Sequence, residues 1–393
     1  MIINGKYAKA NIFAKNLDEL TIQEITTLCN QPFVQGSKIA IMPDAHYGKG
    51  CVIGTTMTIT DCVVPNLVGV DIGCGMLVVF IGNEDIDFQK LDDVIKKNVP
   101  SGFNVRQEES FYNIFTNVED LKCYKKLRNI DKIRKSIGTL GGGNHFIEIN
   151  QCEDGYFLVI HSGSRNLGHQ VCTYYQNLAN EKIKQKMKNN LNEIIQFIEP
   201  RFRQDYIIRY NQYKMTSSKD LAYLTGSDLD DYLHDMKIVQ EYAHYNRKAI
   251  AYEICRGMNW EPCYDFSTIH NYIDVDNKIL RKGAISAQLG ERVIIPLNMR
   301  DGSIIGVGKG NPEWNYSGPH GAGRIMSRSE AAQKITLEEF QKSMSDVWST
   351  SVTTNTIDES PMAYKPAEQI IKSIKDNIHI IDIIKPVYNY KAH

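Results

Sequence analysis

The stretch GTLGGGNHFIEI, residues 138–149, passes from one backbone habit to another within twelve residues. Three consecutive glycines allow close backbone approach, and NHFIEI then alternates as a strand does. On a period of two, Asn144, Phe146 and Glu148 share one face and His145 takes the other. A hairpin turn at residues 153–155 leads to YFLVIHSGSR, which carries His161 at its end and Arg165 in the loop beyond. Chemistry often sits at such strand-to-loop junctions.

Working outward, further apolar runs broken by glycine occur at residues 38–42, 51–60 and 77–81. STIHNYIDV, residues 267–275, places His270 and Asn271 in one strand, ERVIIPLNM ends another, and the last apolar strand ends at Lys385. An amphipathic helix is expected over residues 18–29, and mixed helix and loop over 83–135. MPDAHYGKG, residues 42–50, reads as a loop from its Pro and Gly, with His46 bonded to Asp44 rather than acting as a ligand. Between residues 170 and 260 glycine thins out and a 3.6-residue apolar period takes over, giving a helical insertion in which His234 and His244 have helix-face or core roles. The expected fold is α+β: one domain over residues 1–393, a single β-rich core and the insertion at 170–260, without βαβ regularity.

The composition, 42% hydrophobic and 23% charged with a net charge of −1, is that of an ordinary globular chain and advertises no nucleic-acid partner. Basic runs at 122–135 and 182–188 read first as solvated helix faces, with phosphate contact at 122–135 the minority reading. No secretory pattern and no bilayer-length apolar run is present, so no membrane partner is expected. Nine scattered cysteines without a CxxC pair argue against a disulfide framework or a zinc knuckle and place the chain in a reducing cytoplasm.

NLVGVDIGCGM, residues 66–76, sets Asp71 three residues before Cys74 in an apolar, glycine-rich setting. A buried carboxylate needs a positive partner, and a metal would supply one while deprotonating the thiol. A glycine turn around a buried free thiol fits the same residues. His145, His161, His270 and His320 stand in glycine-rich or strand-end contexts, so the fold could gather them with Asp71 and Cys74 into a mixed thiolate, imidazole and carboxylate site. His320 lies between Pro319 and the small residues Gly321, Ala322 and Gly323, open to a large partner, with Arg324 next.

In this order MPDAHYGKG, GVDIGCGM, GGGNHFIE, IHSGSRNLG, IHNYID, HGAGRIMSR and AYK resemble the RtcB family of RNA-splicing and RNA-repair ligases, from about residue 40 to residue 385. The resemblance implies a ligase that uses GTP and two Mn2+ ions per active site to join an RNA 3′-phosphate or 2′,3′-cyclic phosphate end to a 5′-hydroxyl end. In that reading Cys74 bridges the metals, Asp71 and His145 complete one site, and His161 and His270 complete the other. His320 takes GMP as a phosphoramidate. Asn144, Phe146, Glu148, Asn271, Tyr364 and Lys385 surround the nucleotide, joined by Asn298, Met299, Ser303, Gly321, Ala322 and Gly323. Arg165 and Arg324 meet RNA phosphates. The family's PGSMG turn is replaced here by Pro296-Leu297-Asn298-Met299-Arg300, which leaves a cyclic phosphodiesterase without joining, or an RNA-binding adaptor, as alternatives. The chain is short for the family, which suits a bacterial-type member, and an accessory activator protein is a further expected partner.

Overall fold

The computed structural model describes every residue except Lys49, Ser217, Ser218 and His393, and for 211–216 it gives the backbone only. Seven antiparallel strands form the larger sheet, in the order Tyr264–Ile269, Gly75–Gly82, Gly155–Ser162, Phe146–Cys152, Ile378–Lys391, Gly302–Gly308 and Arg292–Asn298. Its central hairpin follows the expected turn, with Cys152 paired to Gly155. Both faces of this sheet are covered. Leu77, Val79, Ile147, Ile149, Leu158 and Ile160 pack on one side, while Met76, Val78, Phe146, Phe157 and Val159 pack on the other. That double burial is why YFLVI reads as an unbroken apolar run.

A second sheet runs Ile2–Asn4, Lys9–Ile12, Ile39–His46, Ile53–Thr58, Ile279–Lys282 and Asn271–Asp274, with one parallel pair, Lys9–Ile12 beside Ile39–His46. The helix Glu19–Cys29 starts where expected, because the Asp18 carboxylate accepts from the Thr21 amide at 2.8 Å.

Three sequence expectations are corrected. The segment 42–50 is a loop only in its second half: the strand Ile39–His46 continues through Pro43, and a register break between Ile41 and His46 accommodates the missing proline donor. STIHNYIDV is not one strand, because Tyr264–Ile269 belongs to the seven-stranded sheet and Asn271–Asp274 to the six-stranded one, leaving His270 at the crossing. The last strand does not end at Lys385 but runs to Lys391, carried past Pro386 by an irregularity between Pro386 and Tyr388.

The helices Arg165–Gln196, Arg203–Thr216 and Gly226–Met258 occupy the predicted helical region. The last of these is a structural beam. Tyr232, Met236, Val239 and Tyr242 fill the largest apolar cluster, and Ile250, Ile254 and Met258 cover the back of the seven-stranded sheet. Between these two stretches Asn246 uses its whole amide: Oδ1 accepts from the Gly138 and Thr139 amides at 2.8 and 3.1 Å, and Nδ2 donates to Ser162 Oγ and Gly163 O, both at 3.0 Å. Among the described residues no helix is long and apolar enough to cross a membrane.

Asn246 is fully buried, so truncating it orphans two backbone amides as well as removing four bonds. Asn246→Ala is expected to lower stability by roughly 2–4 kcal/mol, read from the midpoint of urea unfolding.

Candidate active site

The strand ends of the two sheets converge on one buried cluster. Cys74 Sγ lies 3.5 Å from His145 Nε2 and 3.4 Å from His161 Nε2, and His145 Nε2 lies 3.2 Å from Asp71 Oδ2. The imidazole rings then follow one another: His145 to His161 at 5.2 Å between centroids, His161 to His270 at 5.2 Å and His270 to His320 at 5.0 Å. His145, His161 and Cys74 are close enough to share a metal ion.

Backbone carbonyls orient the ligand atoms. His145 Nδ1 sits 2.8 Å from Leu140 O, and His161 Nδ1 sits 3.1 Å from Asn144 O. Only a protonated Nδ1 can donate to a carbonyl, so the neutral form of each ring carries its lone pair on Nε2, the atom nearest the thiol. Asp71 Oδ1 accepts from the amide and hydroxyl of Ser164 at 2.9 and 3.1 Å, and a side chain at Gly163 would collide with this carboxylate. Burial pushes the Asp71 carboxyl up, but the His145 hydrogen bond and the charges of His145 and Arg165 outweigh it and hold it at about 2. Burial, reinforced by Asp71, raises the Cys74 thiol well above its usual range, and burial drives His161 and His270 toward their neutral forms. His270 Nδ1 is buried without a hydrogen-bond partner. Two imidazoles that burial keeps neutral, an anionic carboxylate, a thiol that needs a cation to ionise and an orphaned ring nitrogen together match what a transition metal takes.

Beside this cluster lies a cavity of about 220 Å³. Asn144, Phe146 and Glu148 line one wall, as the period-two reading requires, with His161 and His320 deeper in. His320 Nδ1 lies 2.6 Å from Asp44 Oδ2, which also accepts from the His320 and Gly321 amides at 3.1 and 3.3 Å. With Nδ1 donating to this carboxylate, His320 offers Nε2 as a free lone pair. Asp44 is fully buried; Lys365 stands beside it, its Nζ donating to the Pro43 and Ala45 carbonyls at 3.0 and 3.2 Å. Gly323, at φ 74°, passes so close to the Asp44 backbone that any side chain would collide with it. Sequence reasoning had paired Asp44 with His46, but His46 Nδ1 meets only the Asp44 carbonyl, at 3.1 Å, and the carboxylate serves His320. The strand continuation through Pro43, not visible in the residue types, is what aims it.

Glu148 is buried, its oxygens accepting from Asn389 at 2.7 Å and Asn150 at 3.3 Å. Burial raises its carboxyl to about 7 against those two amides and Lys391. Opposite, Tyr364 donates to Glu359 at 2.8 Å, while Arg324 contacts Glu359, the Tyr364 hydroxyl and Asp358 O. Arg324, expected to meet RNA, is thus largely engaged within the protein while still lining the cavity. Glu359 is pushed up by burial yet held at about 2 by Lys391 and Arg328.

Pro296, Leu297, Asn298 and Met299 form another wall together with Gly321, Ala322 and Gly323. Asn298 folds inward on its own turn, Nδ2 donating to Asp301 and Oδ1 accepting from the Arg300 and Asp301 amides. Three expected residues are not among those lining the cavity. Ser303 is fully buried opposite Pro296. Asn271 ties Asp71 O to the Gly283 amide. Lys385 pairs with Gln151, at the far end of its strand, and donates to Asp301 O at 3.3 Å. Lys391, six residues on and opposite Phe146, lines the cavity and contacts Glu359. Arg165 spans Thr139 Oγ1 at 3.1 Å and Gly102 O at 3.0 Å, bracing the glycine loop beside Asp71.

A sequence profile described as tRNA-splicing ligase RtcB matches residues 24–392. The RNA-splicing ligase RtcB of Escherichia coli strain K12 is 30% identical to the chain, over 94% of this chain and 93% of that protein. The tRNA-splicing ligase RtcB of Methanococcus maripaludis is 24% identical over 96% and 92%.

Replacing Cys74 by Ala is expected to weaken divalent-metal affinity by more than ~100-fold, beyond the loss typical of an outer-shell partner, while far-ultraviolet circular dichroism stays unchanged. Calorimetric titration with Mn2+ measures it; wild-type affinity in the variant would mean the thiol holds no metal.

Proposed function

Since the chain belongs to the RtcB family of tRNA-splicing ligases, we propose that it is an RNA ligase that joins a 3′-phosphate or 2′,3′-cyclic phosphate end to a 5′-hydroxyl end at the expense of GTP. The observation that carries this reading is His320. It is an imidazole held through Nδ1 by a buried carboxylate, in a wall of small residues, one ring away from a metal-type cluster.

In this mechanism His320 Nε2 attacks the α-phosphorus of GTP, a P–N bond forms, and pyrophosphate departs with the electrons of the broken P–O bond. Asp44 keeps the imidazole in the attacking tautomer and stabilises the positive charge it develops. The RNA 3′-phosphate then displaces His320 and takes the GMP; where the end is cyclic, water first opens it. Finally the 5′-hydroxyl oxygen attacks the activated phosphate and GMP leaves, its departing charge met by cations of the cavity wall such as Arg328 and Lys391. The residues that would hold manganese are Cys74 with Asp71 and His145 on one side and His161 and His270 on the other; bound there, the metal supplies Lewis-acid neutralisation of phosphate charge. Glu148 selects guanine, because an ionised carboxylate can accept from N1–H and the exocyclic amine together.

One observation favours the narrower activity of a cyclic phosphodiesterase. The Asn298 amide is consumed within its own turn, so this wall offers the nucleotide less than a serine turn would. Release of 3′-phosphate ends without GTP-dependent joined product would establish that reading in place of the ligase.

With α-labelled GTP and Mn2+, the wild type is expected to take up label covalently and His320→Ala to take up none. Asp44→Asn leaves the nucleophile but offers the wrong partner to Nδ1, and guanylylation is expected to slow on the order of 10³-fold. Because only the ionised Glu148 carboxylate can accept from both guanine donors, GTP affinity is expected to fall as pH drops below about 7 and to level off above it. Glu148→Gln is expected to bind GTP weakly and to lose that pH dependence in equilibrium titrations.

A further inference from the structure

A second, larger cleft of about 810 Å³ opens on the surface beyond the glycine loop. Four cations line it, Lys96, Lys97, Arg106 and Arg256, against two carboxylates, Glu108 and Glu253. Glu253 is buried and bridges Arg106 at 2.8 Å and Arg256 at 2.6 Å, and Asp92 holds Lys96 at 2.7 Å, so the four cations still exceed the three carboxylates by one. At its rim Phe103 is 94% exposed, although an unpartnered phenylalanine gains nothing from water. Two more aromatic faces stand nearby. Arg256 lies over the Tyr252 ring at 5.7 Å, and Phe111 meets Tyr252 edge-on at 5.3 Å, both rings being about half exposed.

The turn that carries Phe103 is fastened to the catalytic loop. The Gly102 amide donates to Gly141 O at 2.8 Å, and Gly102 O accepts from Arg165, which neighbours Asp71. The three glycines then step from cleft to cavity. A side chain at Gly141 would strike Arg165, one at Gly142 would approach Gly102, and one at Gly143 would approach Arg328, which lines the cavity. Gly143 and Asn144 are exposed, so a low saddle of bare backbone joins the cavity mouth to Phe103.

Exposed aromatic rings interleaved with cations, continuous with a phosphate-handling cavity, are the pattern by which proteins hold single-stranded nucleic acid. We propose that this cleft is the path of one of the RNA strands being joined, with Phe103 stacking on a base close to the reacting end and Lys97 and Arg256 facing the backbone phosphates. The assignment rests on the ligase reading for the direction of the strand, not for its chemistry: the contacts are those of any single-stranded RNA.

The experiment measures fluorescence anisotropy of two labelled oligoribonucleotides in separate arms, one ending in a 3′-phosphate and one in a 5′-hydroxyl, with the full chain. Phe103→Ala is expected to weaken one arm by ~5- to 150-fold, the loss of one base–aromatic stack worth ~1–3 kcal/mol, and Phe103→Tyr to restore it. Lys97→Ala is expected to flatten the slope of log affinity against log salt by ~0.7, one phosphate contact on a single strand, which loss of structure alone would not do. Covalent uptake of GMP in the absence of RNA is unchanged in all three variants. Phe103→Ala binding both oligomers as wild type does, or no binding by the wild type itself, overturns the path. RNA binding that depends on Phe103 in a chain that never takes up GMP supports the path and overturns the ligase reading instead.

Discussion

A guanidinium with no access to water stands behind the whole site. Arg247 is fully buried on the Gly226–Met258 helix and donates through one nitrogen to Gly73 O and to Ser162 O, both at 2.9 Å. Burying such a charge is unfavourable unless acceptors and counter-charges surround it, and burial pulls its pKa down to about 10 even though Cys74 and Asp71 oppose the shift. The two carbonyls it holds belong to the residue before Cys74 and the residue after His161. Arg247 therefore sets the separation of the thiol and the imidazole, and its positive charge favours the thiolate. With Asn246 beside it, one helical turn fixes the glycine loop, the strand end and the Asp71 loop at once. The helical segment at 226–258 is thus part of the site's frame and not an appendage to it.

Much of this was legible in the residues. The helix at 19–29 declared itself through its apolar spacing, and the 146–162 hairpin through period two and its turn. The same period correctly put Phe146 and Glu148 on the cavity wall and His145 on the other face. What was not legible has a common cause. A register irregularity carries a strand past a proline at Pro43 and again at Pro386, and sequence pattern treats proline as a stop. The first of these hid Asp44, the partner of His320. The second carried the strand on to Lys391, which lines the cavity.

The basic lining of the outer cleft is a different kind of feature. Near-neutral net charge does not announce this lining, whose cations come from segments far apart in the chain, around residues 96–106 and at 256. The basic run at 122–135 read as a solvated face, and part of it is: Arg134 is held by Glu119 and Lys135 by Asp131. Composition averages over such arrangements; only the fold separates the sign of one surface from that of another.

His270 occupies the single residue between Tyr264–Ile269 and Asn271–Asp274, where the chain leaves one sheet for the other. Its amide is bonded to Cys74 O at 2.9 Å and its ring lies between those of His161 and His320. The ring row therefore spans a seam, and its spacing reports how the two sheets are docked. Cys74, His145 and His161 come from the seven-stranded sheet and the residues beside its strands, and the crossing at His270 extends their row to His320. His270 is thus the point at which the thiol-bearing sheet and the His320 wall are held to one spacing.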